Sequence, residues 1–167
     1  MNSKALILNA SVIIAFFSEL ERPYYLEKLS SLGFEILVPQ TILDEELLPK
    51  TRSKVLKFIE KKIIKILPKA PQDIFDTLRR KYIKLGKGEL EVLSWGLLLK
   101  QSNKEYTCVL EDKHARKAAK DLGLNLTGTL GLLNILEREN LISPKEKNEA
   151  LEILIRKGFR IKLPPKK

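Results

Sequence analysis

The chain has 167 residues, 44% of them hydrophobic, enough for one buried core and most simply one domain. No run of about 18 apolar residues occurs, which argues against a membrane-spanning helix, and the single cysteine, Cys108, excludes an internal disulfide and a cysteine-based zinc cluster. With 31 Lys+Arg against 21 Asp+Glu the net charge is +10, which suits a polyanion such as nucleic acid and equally suits the Lys/Glu-rich surface of a heat-adapted protein.

"KALILN" is a short, nearly all-apolar run, the pattern of a parallel strand covered on both faces. Polar Asn9 and Ser11 and the charges beyond interrupt it as a signal peptide, so a cytoplasmic protein is expected. "SVIIAFF" and "YYLEKLSSLG" read as helical, the second closed by Gly33, and "EILVP" is a second strand stopped by Pro39. "QTILDEELL" and "SKVLKFIEKK" are helices parted near Pro49, while "IIKIL" is either a strand or an extended connection. "PQDIFDTLRRKYIKL" predicts a helix running to Leu85, followed by a flexible "GKG" and a helix over "ELEVLSWGLLLKQS". "YTCVLE" is a strand in which Cys108 reads as an inert core thiol. "DKHARKAAKDLG" is an amphipathic helix between Asp112 and Gly123, "LNLTGT" a further strand, and two helices close the chain. This alternation predicts one three-layer α/β domain over residues 1–160, with a central parallel sheet of four or five strands, and a short basic tail at 161–167.

In such sheets ligands gather at the carboxyl ends of the strands. Asn9 ends the first strand, Asp112 follows the "YTCVLE" strand, Glu45 sits on the helix after the second strand, and Glu89 opens the helix after "GKG". Carboxylates converging there repel one another, and a divalent cation relieves that repulsion. Oxygen ligands suit Mg²⁺ or Mn²⁺ rather than zinc.

The pieces "LILNASVII", "VPQTILDEE", "GKGELEVLSWGL", "VLEDKHARKAAKDLGLNLTGTLGLL" and "LIRKGFRI", in this order, resemble the PIN-domain ribonucleases over nearly the whole chain. The last three resemble an archaeal and bacterial branch whose members include toxins. The resemblance implies a parallel sheet flanked by helices, Mg²⁺- or Mn²⁺-dependent RNA cleavage, frequent homodimers and, in many members, an antitoxin partner. It carries metal-site positions onto Glu45, Glu89 and Asp112, and family spacing is what chooses Glu45 over Glu46. Where the family places an aspartate, this chain has Asn9, an oxygen donor without charge, so weaker metal affinity and slower catalysis are expected. Lys87, Lys113 and Arg116, neighbours of these ligands in sequence, are candidates for holding the RNA backbone. Ser11, Thr127 and Thr129 are candidates for orienting ligands or water.

Each acid also has a structural role open to it: Asp112 as an N-cap, Glu89 in a first helical turn, and Glu45 within "DEEL", where Asp44 or Glu46 is simply solvated. His114, the only histidine, reads as an exposed helix residue, and Trp95 as core. The alternatives to an RNA endonuclease are a catalytically impaired domain that binds RNA or protein, and a basic DNA-binding or scaffolding protein, for which no helix-turn-helix is apparent.

Overall fold

A computed structural model describes residues 4–159; the proposed basic tail and the end of "LIRKGFRI" lie outside the described residues. The first apolar run forms β1 (Lys4–Leu8), and α1 (Ala10–Ile14) follows it directly. A π-helical turn (Ala15–Glu19), closed by a bond from Leu20 N–H to the Ala15 carbonyl, extends α1, a local widening that the sequence pattern does not announce. α2 (Tyr24–Ser31) ends ahead of Gly33, whose φ of +95° is readily adopted only without a side chain. β2 (Phe34–Pro39), α3 (Gln40–Glu45), α4 (Pro49–Glu60) and β3 (Ile64–Leu67) come next, so "IIKIL" is a strand.

α5 (Gln72–Lys81) stops short of the expected end. Leu78 is its one fully buried residue, and Tyr82, which still packs against the core, leaves helical geometry at φ −115° and ψ 72°. A Leu85 N–H to Tyr82 carbonyl bond then closes a turn leading to α6 (Lys87–Gln101). The "GKG" stretch is not a loose loop: Gly86 caps α6, and Lys87 and buried Gly88 are its first residues. β4 (Tyr106–Val109), α7 (Lys113–Asp121), a two-residue β5 (Leu126–Thr127), α8 (Thr129–Arg138) and α9 (Pro144–Arg156) complete the described chain.

The five strands are all parallel, in the order β3-β2-β1-β4-β5, with helices flanking the sheet: the three-layer α/β arrangement that alternating strands and helices predict. Leu6, Ile7 and Leu8 are almost wholly buried because the central strand is covered on both faces. From β1 the chain works outward through β2 and β3, then returns to lay β4 against the other side of β1. The reversal makes the carboxyl ends of β1 and β4 the switch point of the sheet, the place where open α/β sheets bind their ligands. Among the described residues no helix is long and apolar enough to cross a membrane.

Candidate metal centre at the sheet switch point

Asn9 stands on the first residue past β1 and is held to the neighbouring strand by its N–H donating to the Val109 carbonyl at 3.1 Å. Its backbone is that of a helix N-cap, and its carbonyl accepts from Val12 and Ile13. The side chain, however, makes no capping bond, although an asparagine there ordinarily accepts from the second or third helical N–H. The Asn9 Oδ1 is instead shut from solvent without a hydrogen-bond partner, as are Ser11 Oγ and Thr129 Oγ1. Buried oxygens left unpaired are costly, and these three belong to segments that begin at the carboxyl edge of the sheet.

Asp112 lies three residues beyond β4 and does cap its helix, Oδ2 accepting from Ala115 N–H at 2.9 Å. Glu89, in the first turn of α6, accepts from Gly86 N–H at 3.0 Å and lies close enough to Asp112 for that charge to act on it. Burial pushes the Glu89 carboxyl above the ordinary carboxylate range. The Gly86 N–H opposes that rise, while the charges of Asp112 and Glu46 add to it. Glu46 is raised too, by burial first, then against the Gly88 N–H and with the help of Glu45.

Glu46, not Glu45, is therefore the α3 carboxylate whose charge reaches Glu89. Its Oε2 accepts the Gly88 N–H at 2.8 Å. This close approach requires glycine, since a Cβ at position 88 would fall on the Glu46 carboxylate. Glu45 turns outward, its side chain 51% exposed, and pairs with Lys87 at 3.4 Å. The two glutamates are adjacent on the last turn of α3, so one step of about 100° sends them to different neighbours. Family spacing chose Glu45; the docking of α3 on α6 brings Glu46 to Gly88 and toward Glu89 and leaves Glu45 on Lys87.

The remaining candidates are spread around this cluster. Lys113 and His114 are exposed on the first turn of α7. Arg116 is tied back, Nη1 donating to the Leu110 carbonyl at 2.7 Å. Thr127 packs in β5 against Gly131, where a Cβ would strike its hydroxyl. Glu111, which sequence reasoning passed over in favour of its neighbour, accepts the Thr129 N–H and so joins the end of β4 to the start of α8. Its only signal was the doubled acid "ED".

By chemistry the donors fit a hard cation: three carboxylates from three elements, plus an amide oxygen with no other partner. By arrangement they are not yet a coordination shell. Among the described residues no three His, Cys, Asp or Glu side chains are disposed to hold a metal ion. Each carboxylate is engaged by a backbone N–H, of Gly86, Gly88 or Ala115, with which an incoming cation must compete. Residues 5–164 match the sequence profile of a family described as a PIN domain. No curated protein matches the chain.

Proposed function

The chain belongs to the PIN-domain family, and from that premise we propose that it is a Mg²⁺- or Mn²⁺-dependent RNA endonuclease slowed by Asn9. PIN domains are generally nucleases that use divalent ions and commonly bind nucleic acid. The observation that supports the reading is the gathering of Glu46, Glu89 and Asp112 near the β1/β4 switch point, where the Asn9 Oδ1 at the end of β1 is buried without a partner.

Glu46, Glu89 and Asp112 are the anionic ligands in this proposal, with Glu46 in the position that motif spacing gives to Glu45. Asn9 is the neutral fourth donor, through the Oδ1 that has no other partner. A bound divalent cation supplies Lewis-acid stabilisation of charge on the phosphodiester and activates a water molecule. Glu89 must release its proton to serve as a ligand, so binding strengthens as pH rises. Lys87 and Lys113 face solvent beside the cluster and hold flanking phosphates as point charges, whereas Arg116, tied to Leu110, braces the β4–α7 corner. The toxin role, an antitoxin partner and a homodimer are finer parts of the same proposal, drawn from the motif resemblance.

A second reading, RNA binding without cleavage, is favoured by one feature: Asn9 removes a charge from the cluster. An assay of RNA cleavage in Mn²⁺ separates the two. The native chain is expected to cut slowly, Asn9→Asp to cut about ten-fold faster, and Asp112→Asn to lose activity, with EDTA abolishing all of it. Tight RNA binding with no cleavage at millimolar Mn²⁺ selects the second reading, and cleavage indifferent to EDTA overturns the metal mechanism.

A further inference from the structure

Next to the acidic cluster, between the α5–α6 turn and α7, lies a cavity of about 310 Å³ that none of the proposed chemistry uses. Its position follows from the fold. Leu85, on one wall, immediately precedes the Gly86 that caps α6 and holds Glu89. His114, on the other, is two residues beyond Asp112. A molecule seated here therefore adjoins the switch point.

The lining is mixed in a particular way. Lys81, Lys84 and Lys117 bring positive charge, and Tyr82, Leu85 and Ala118 bring an aromatic and apolar wall. Asp121 completes it with a carboxylate. A site for bare phosphate has no use for an apolar wall or a carboxylate. A nucleotide uses every part: phosphates on the lysines, a flat base against the wall, and a base N–H donated to Asp121. Tyr82 is half-buried, its hydroxyl closed off from solvent and the Lys81 ammonium 5.4 Å from its ring centroid, so it forms a fixed wall of the cavity. The volume lies at the small end of the roughly 300–1,000 Å³ typical of ligand cavities, right for one nucleotide and too small for a duplex.

We infer that this cavity is a nucleotide subsite, receiving one unstacked base of single-stranded RNA next to the phosphodiester at the acidic cluster, with Lys84 and Lys117 on its phosphates. The inference deepens the nuclease reading and rests on it for the identity of the polymer. It predicts that the chain binds single-stranded RNA more tightly than duplex, since a paired and stacked base cannot enter the cavity.

The test uses the whole native chain, isotope-labelled, in EDTA, so that no cleavage intervenes. AMP and UMP are expected to shift the backbone amides of residues 82–85 and 114–118, and inorganic phosphate to shift them far less. Tyr82→Leu should weaken AMP binding about ten-fold. Tyr82→Phe, which keeps the ring, is expected to bind AMP within about two-fold of the native chain, and a ten-fold loss in that variant would overturn the ring as the wall for the base. In parallel, Lys84→Ala with Lys117→Ala should weaken binding of a short single-stranded RNA about ten-fold and flatten its salt dependence by one to two phosphates' worth. Mononucleotides that leave these amides unmoved, or phosphate that moves them as strongly, overturn the subsite. So does unaltered RNA affinity in the double variant. Mononucleotide binding in the cavity without Mn²⁺-dependent cleavage would support the subsite and end the nuclease reading; cleavage with no response at these amides would do the reverse.

Discussion

Glu91 carries a carboxylate into the interior of α6, 4% exposed, where its Oε2 accepts the Ala70 N–H at 2.9 Å. Burial raises its carboxyl above the usual range, while the Ala70 N–H and Lys69 pull it down. A carboxyl raised in the folded state binds protons more tightly there than in the unfolded chain. The stability it contributes is therefore full below the unfolded value, about 4.3, and is lost as pH rises through the higher folded value. Glu91→Gln keeps an acceptor for Ala70 and removes that loss, so it is expected to match the native chain within about 1 kcal/mol at neutral pH and to flatten stability above about pH 5. Glu91→Ala leaves the Ala70 N–H buried and unpaired and should cost about 1–3 kcal/mol at low pH, the difference narrowing as pH rises and the native chain loses its own contribution. Urea unfolding of the three proteins at two pH values checks both statements. Asn9 shows the opposite economy: an oxygen buried with nothing to bind, at the strand end where a ligand is expected.

At the scale of elements, the junction of α3 with α6 decides which glutamate joins the cluster. Gly88 lets the α6 backbone come within hydrogen-bonding distance of Glu46. In Gly88→Ala the new methyl displaces the Glu46 carboxylate, which is the free end of a side chain and can swing away. Helix propensity gains about 0.5–1 kcal/mol and the lost hydrogen bond costs a similar amount, so stability should change by less than about 1 kcal/mol. Divalent-cation affinity should fall about ten-fold, because the carboxylate no longer rests beside Glu89. Calorimetric titration with Mn²⁺ alongside a thermal melt separates the two effects; equal affinity in the variant would remove Glu46 from the ligand set. No reading of "DEEL" anticipates this, because Glu45 and Glu46 have the same chemistry and nearly the same spacing from every other motif. The extent of α5 was similarly hidden: "KYIKL" continues a helical pattern, yet Tyr82 leaves it, and Tyr82 and Leu85 pack on the core from a turn.

For the molecule as a whole, Glu46 and Glu89 tie stability to pH and, under the proposed metal-dependent function, to cations as well. Both carboxyls are raised by burial first, so in EDTA their contribution falls as pH rises through their folded values. A cation that binds only the folded, deprotonated cluster offsets that loss by mass action. Millimolar Mn²⁺ should raise the melting temperature by about 5 °C near pH 8 and by clearly less near pH 5.5. A scan with and without EDTA measures the difference; an equal gain at both pH values would break the link to these carboxyls.

Apolar runs of strand length alternating with amphipathic helices were sufficient to specify a parallel sheet flanked by helices, because burying both faces of a strand leaves its mark on every residue of that strand. The same pattern set Asn9, Glu89 and Asp112 at the ends of their elements, since element ends are written in caps and glycines. What the linear pattern lacked was direction across the molecule. That Glu46 meets Gly88 while Glu45 meets Lys87, and that residues 82–85 stand off from α7 to leave a cavity, follows from how rigid elements dock. Docking is decided by contacts between residues more than 30 positions apart, on which local periodicity has no bearing.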